Sequence, residues 1–256
     1  MDNKPTYIPG LVSIITPMYN AGAFIAQAIE SVLSQTYTNW EMIIADDCST
    51  DNGFAIASSY ASENPKIKVV KTDSNTGCPA GARNRSLAEA SGQYIAFLDA
   101  DDIWGKNKLE KQVAALKDPE VALVYSYYSK FTDHINESRL ITAPAFTTYS
   151  SMLYGSVIGC LTAIYDASKV GVKQFEKSHH EDYILWLTIL KDRYKAICIP
   201  EVLAYYRVGE SSVSSNKLQS AKWYWDILRG HERISFPRAC VYFASYMFKS
   251  VIKYLK

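Results

Sequence analysis

The 256 residues, 48% apolar and 21% charged, have the balance of a folded globular protein, and their number allows one substantial core with an appendage rather than several domains. No apolar run reaches the roughly 18 to 20 residues that span a bilayer, and the polar start Met1-Asp2-Asn3-Lys4-Pro5 is not a signal peptide, so a cytoplasmic address is expected. The net charge of +1 divides unevenly: residues 217–256 carry eight Lys or Arg against Asp226 and Glu232, a net of +6, which leaves −5 on the rest.

In chain order, residues 11–16 read as a strand, 21–34 as a helix with apolar periodicity through Phe24, Ile25, Ala28, Ile29, Val32 and Leu33, and 41–45 as a strand. A helix near 54–62, a strand at 67–70, a helix around 80–90, a strand at 94–98 and a helix from 106 to 116 follow. Strand and helix thus alternate four times, which predicts a mainly parallel sheet with helices on both faces and ligands beyond the carboxyl ends of its strands. Those ends carry Thr16-Pro17-Met18-Tyr19-Asn20, Asp46-Asp47-Cys48-Ser49-Thr50-Asp51, Asp73-Ser74-Asn75-Thr76-Gly77 and Asp99-Ala100-Asp101-Asp102. Each alone is ordinary turn chemistry. Two acidic clusters at strand ends along one sheet edge are harder to explain as turns, because like charges repel unless a ligand offsets them.

The last cluster is the most specific. Asp99 and Asp101 lie two apart, so in an extended segment they point to one side, and paired hard oxygens of this kind suit Mg²⁺ or Mn²⁺. The same acids can instead cap the helix that begins near Lys106. Farther along, 121–128 and 161–165 read as strands, and 131–159 as an irregular, Tyr- and Phe-containing stretch. Residues 181–191 read as a helix with the acids Glu181 and Asp182 in its first turn, and 196–199 and 202–206 as two strands. Five scattered cysteines without a Cys-x-x-Cys pair support neither a disulfide framework nor a zinc knuckle. The neighbouring His179 and His180 do not face one way on a regular element and lack a third ligand at recognisable spacing.

Five blocks in order resemble the family 2 inverting glycosyltransferases of the GT-A fold: Val12 through Asn20, Ile44 through Asp51, Gly81-Ala82-Arg83-Asn84, Phe97 through Asp102, and Glu181-Asp182-Tyr183. The resemblance spans roughly residues 11 to 208. It implies a Rossmann-like catalytic domain over 1–215, with a nucleotide-binding half at about 1–102 and an acceptor-binding half at about 103–215, followed by a basic amphipathic helical extension at 216–256. It also implies metal-dependent hexosyl transfer, with inversion, from a UDP-sugar to an acceptor hydroxyl in bacterial surface polysaccharide assembly (O-antigen, capsule or lipooligosaccharide). Asp99 and Asp101 would form the Asp-x-Asp motif around Ala100, with Asp101 on a Mn²⁺ or Mg²⁺ ion between the donor phosphates. Asp46, or else Asp47, would read the uracil, Pro17 and Tyr19 would pack about the base, Asn20 would join the nucleotide-sugar site, and Arg83 would hold the diphosphate. Asp182 would be the base that takes the acceptor proton, since inversion in one displacement needs one such carboxylate. Trp104, His180, Glu181 and Trp186 are candidates for acceptor or loop contacts, the two tryptophans being equally able to fill the core. Val208 stands where many relatives place a His, ahead of the serine-containing segment 211–214.

Two other classes fit less well. A sugar nucleotidyltransferase would want a glycine-rich basic loop after the first strand, which Pro17-Met18-Tyr19-Asn20-Ala21-Gly22 is not, and a non-catalytic nucleotide-sugar-binding module would not need an intact base. In the extension, Arg238, Tyr242, Ser245, Lys249, Lys253 and Lys256 form a predicted polar stripe and Val241, Phe243, Ala244, Met247, Val251, Ile252 and Leu255 an apolar one. Such a helix can pack on the domain or lie on an anionic membrane surface, where a lipid-linked saccharide acceptor would reside; no recognition motif points to nucleic acid.

Overall fold

In the computed structural model the described residues are 7–132, 134–135, 138–192, 194–209 and 217–255, the side chains of 217–218 and 249–255 excepted. Residues 210–216, which include the serine-containing segment 211–214, lie outside them.

Strands β1 (Ile8–Met18), β2 (Trp40–Asp46), β3 (Ile67–Lys71) and β4 (Gly92–Phe97) pair in the parallel order β3-β2-β1-β4, with α1 (Ile25–Leu33), α2 (Gly53–Glu63) and α3 (Pro79–Leu87) as crossovers. All seven residues of β2 are buried, as a strand covered on both faces requires. Successive residues feed opposite layers: Ile14 and Ile44 pack with α1, and Ile15 and Ile43 pack on the other side with Leu87 of α3. A two-residue strand, β5 (Ile103–Trp104), leads into α4 (Lys108–Leu116).

The sheet continues through β6 (Val121–Phe131), β9 (Ile164–Asp166) and β10 (Lys195–Arg207) in the order β4-β9-β6-β10-β5; β9 runs antiparallel between β4 and β6, while β10 is parallel to β6. The irregular stretch contributes β7 (Arg139–Ile141), β8 (Phe146–Thr147) and the short α5 (Tyr149–Met152) at the sheet's margin. A 3-10 turn, Cys160–Thr162, replaces the start of the strand expected at 161–165. The two strands expected at 196–199 and 202–206 are one. Its register against β6 shifts between Ile199 and Val202, around Pro200, which has no N–H to give the ladder.

After the short α6 (Ala167–Val170) comes α7 (Glu181–Leu190), almost wholly buried. Helix α8 (Lys217–Asp226) runs into a π-helical turn, Ile227–His231, and α9 (Phe236–Leu255) closes the chain. Tyr224, Ile227, Leu228 and Ala239 belong to the same core as α7. The faces of α9 differ in part from the expected ones: Phe243 packs inward as expected and Tyr242 and Tyr246 join it against that core, while Val241, Met247 and Phe248 face out at 59%, 38% and 67% exposure. Aromatic partners decide this, since Tyr154, Tyr224 and Trp225 offer ring contacts to the inward residues.

Candidate active site

The loops after β1 and β2 are tied to each other. Asn20, in the left-handed region at φ 48°, donates its N–H to Ser49 Oγ at 2.9 Å and accepts from the Thr50 N–H at 2.8 Å, while Gly22 N–H donates to Asp51 Oδ2 at 2.7 Å. A Cβ on Gly22 would stand 2.1 Å from Asn52 Oδ1 and 3.1 Å from Gly53 N, so the loops approach closely there. They wall one side of a cavity of about 530 Å³, into which Pro17, Tyr19, Asn20, Asp47, Arg83, Asp99, Ala100 and Asp101 all project. Tyr19 is 54% exposed at its mouth.

Of the two candidate base readers, Asp47 lines the cavity and Asp46 does not. Asp46 is buried within the sheet end, one oxygen accepting from Ser49 N–H at 3.3 Å and the other without a partner. Asp47 is anchored by the Thr76 N–H at 3.0 Å and the Thr72 and Thr76 hydroxyls at 2.8 and 2.9 Å, so the loop after β3 is fastened to the same carboxylate.

The Asp99 cluster is a turn and not an extended run: β4 ends at Phe97 and Asp102 N–H donates to Asp99 O at 3.1 Å. The turn, rather than strand alternation, brings the carboxylates together. Burial and then the charge of Asp99 push Asp101 above the ordinary carboxylate range. Asp102 turns inward, where burial and the charges of Asp99 and Asp101 push it up strongly while it accepts from Arg207 N–H at 2.9 Å. The Arg207 side chain returns to donate to Asp101 O at 3.0 Å and to Gln27 Oε1 at 2.7 Å, lying over Phe24 and Phe131. The end of β10 therefore clamps the acidic turn.

Arg83 is a buried ion pair. Its guanidinium donates to Asp99 Oδ1 and to Glu181 Oε1, both at 2.6 Å, and its side chain is only 5% exposed. Burial alone would weaken its charge; the Asp99 and Glu181 carboxylates reverse that and hold it firmly protonated. One cation thus links the acidic turn to the first turn of α7.

The next residue of α7, Asp182, accepts from Tyr183 N–H at 2.8 Å and is pushed up to about 6, first by burial and then by Glu181. It faces two further cavities. One, of about 490 Å³, shares Arg83, Asp99 and Tyr206 with the cavity just described and is closed by His179, His180 and Trp223 of α8. The other, of about 430 Å³, lies between α7, residues 156–159 and the extension. His180 borders both in the left-handed region at φ 61°, and burial lowers its pKa, so it stands there as a neutral ring. His179 stacks on Trp223 at 3.9 Å.

The tryptophans offered as contacts are core residues. Trp104, 3% exposed, donates its indole N–H to Leu161 O at 2.9 Å beneath the Lys108 ammonium. Trp186 is fully buried with its ring edge on Phe97 at 5.7 Å. Both fall at inward helix or strand positions where packing claims a large ring before a ligand can. Glu181 serves Arg83. Asn75 comes from the strand-end segment 73–77, whereas three further cavity residues lacked a readable signal: Cys78, Tyr206 and Trp223 sit in unremarkable sequence and are brought in by the fold alone.

The family model for glycosyl transferase family 2 matches residues 13–164, more than half of the chain. The chain belongs to glycosyl transferase family 2. It is an inverting glycosyltransferase, and its homologues act in bacterial cell-surface polysaccharide biosynthesis. It is 40% identical over 247 residues, 96% of this chain and 98% of the relative, to Bacillus subtilis TuaG, named as a teichuronic acid biosynthesis glycosyltransferase. It is also 40% identical, over 91% of this chain and 90% of the relative, to Escherichia coli WfgD, named as a UDP-Glc:alpha-D-GlcNAc-diphosphoundecaprenol beta-1,3-glucosyltransferase. The fold matches a crystal structure of a Staphylococcus aureus TarS fragment in complex with UDP-GlcNAc at a TM-score of 0.69 and 19% identity, covering 92% of this chain and 71% of that one.

Proposed function

We propose that this enzyme moves a sugar from a UDP-sugar to a hydroxyl of a saccharide or lipid-linked saccharide at a membrane surface, with Mn²⁺ or Mg²⁺ at the diphosphate. The observation that carries this is the position of Asp182. A carboxylate titrating at about 6 stands where the Asp99 side of the donor cavity meets a second cavity on its far side. A base between two substrates, ionised at neutral pH yet basic enough to accept a hydroxyl proton, is what single displacement with inversion needs. Tyr19 and Pro17 flank the base, Asp47 accepts from it, and the diphosphate lies along Ala100 and Asp101 toward Arg83.

The acidic turn fits a hard cation. Asp99 and Asp101 crowd each other at the cavity wall, and Mg²⁺-type sites use one or two carboxylates plus substrate phosphates. Among the described residues no three His, Cys, Asp or Glu converge as a complete metal cage. When bound, the ion neutralises charge that develops on the departing diphosphate. Asp99 and Asp101 would hold it, and Arg207 and Asp102 fix the turn that presents them.

Among the described residues no helix is long and apolar enough to cross a membrane. The extension instead presents Phe236, Val241, Met247 and Phe248 outward beside exposed Arg238 on a strongly basic segment, which suits an anionic leaflet. Incubation with UDP-glucose, UDP-galactose and their N-acetyl forms plus Mn²⁺ tests the donor: slow UDP release from at least one is expected. Release of none, with no UDP-induced thermal shift, defeats the proposal.

A further inference from the structure

The 430 Å³ cavity beyond Asp182 falls in the range of small-molecule sites, about 300–1,000 Å³, and is not part of the donor cavity. Its chemistry is distinctive. Tyr128, Tyr183, Tyr224 and Tyr246 all line it, with Ser156 and Thr142 toward its rim. Among the described residues that line it there is no Lys or Arg, and the only ionisable groups besides the tyrosines are Asp182 and the neutral His180. Such a surface discourages phosphate and suits a neutral, hydroxyl-rich ring whose C–H face can lie on an aromatic plane.

The tyrosines are held as a rigid unit. Tyr183 donates its hydroxyl to Met152 O at 2.7 Å and Tyr224 donates to Leu153 O, so both turn ring surface rather than spare hydroxyls to the cavity. Tyr246 of α9 stacks on Tyr224 at 4.3 Å and 21°. On its other side Tyr246 abuts the backbone at Gly155: a Cβ there would come within 3.4 Å of its ring, at φ +120°. The extension, read from sequence as a basic amphipathic helix, thus forms one wall of this cavity.

We propose that this cavity is the acceptor subsite for a neutral sugar, and that Tyr246 of the C-terminal extension is one of its specificity-determining walls. This rests on Asp182 as the base: a hydroxyl of a sugar seated among the tyrosines reaches Asp182 from the side opposite the donor. The outward Val241, Met247 and Phe248 of the same helix, with exposed Arg238, would then set the subsite close to the leaflet that carries a lipid-linked acceptor.

The test uses the full chain and three defined probes, the methyl glycosides of glucose, galactose and N-acetylglucosamine, measured by saturation-transfer NMR with and without UDP and Mn²⁺. At least one glycoside is expected to bind. Ser156→Trp, which fills the exposed rim without disturbing the core, should weaken it tenfold or more. Tyr246→Ala should do the same, while Tyr246→Phe, which keeps the ring, should stay within about threefold. Binding by none of the three, or unchanged affinity in both Ser156→Trp and Tyr246→Ala, overturns the proposal. A UDP-induced thermal shift is read in parallel: its absence in the parent protein counts against the donor site and leaves the glycoside result standing.

Discussion

Glu181→Gln tests the ion pair that joins the acidic turn to α7. Arg83 is 5% exposed, Glu181 15% and Asp99 28%, so the guanidinium has no alternative solvation. Removing one partner of a fully buried pair costs about 3–5 kcal/mol. Here Asp99 remains and glutamine keeps an acceptor for Nη1, so the loss is that between a charge-assisted and a neutral hydrogen bond, about 1–1.5 kcal/mol. At about 2–4 °C per kcal/mol for a chain of this size, Tm should fall by about 2–6 °C. The same change has a second, opposite-signed reading. Glu181 is, after burial, what holds Asp182 at about 6, so its neutralisation lowers that value. A base acts when ionised, and the rate falls about tenfold per pH unit below its pKa. The acid limb of UDP release against pH, measured from a UDP-sugar with Mn²⁺, must therefore move to lower pH while differential scanning fluorimetry reports the destabilisation. An acid limb that stays put or moves up would refute the electrostatic account of Asp182; an unchanged Tm would refute the buried pair.

Other consequences are simpler. Trp186→Ala should cost about 3–5 kcal/mol by emptying a fully buried site, whereas Trp186→Phe, which also removes an indole N–H lacking a partner, should cost far less and leave UDP release intact. Preserved stability in the alanine variant would show that the ring is not core. Asp101→Asn should lower UDP release by about 10²-fold or more, and EDTA should abolish it with recovery on Mn²⁺; release indifferent to EDTA would remove the metal. Phe248→Glu together with Met247→Glu should reduce pelleting with vesicles containing anionic lipid, and equal pelleting of the parent and this variant would remove the outward face of α9 as a membrane contact.

Much of the first half was legible because its helices and strands are separated by period. The alternating 3.6-residue pattern of α1 and the continuous apolar β2 leave little choice of element, and parallel crossovers then place the strand ends at one edge. What failed did so for tertiary reasons. Asp99 and Asp101 meet through a turn that Arg207 stabilises from 106 residues away, which no local window contains. Asp46 and Asp47 are alike in sequence, and only the pleat at the end of β2 decides which one reaches the cavity. The faces of α9 come out partly different because Tyr242 counts as polar in a pattern but packs as a ring where Tyr154 meets it. Tyrosine is apolar body and polar tip at once, and the partner decides which counts.

Asp182→Asn puts the central claim to the most direct test. The folded chain holds Asp182 above its unfolded value of about 3.9, so this group favours folding at low pH and its contribution is lost as pH rises through about 6. Asparagine carries no such penalty and keeps an oxygen for the Tyr183 N–H. The variant should therefore fold, match or exceed the parent's Tm at pH 8 with the difference vanishing below about pH 4, show the parent's UDP-induced thermal shift, and lose sugar transfer by about 10³-fold or more. Transfer retained within about tenfold of the parent, in a variant that still binds UDP, would contradict Asp182 as the base.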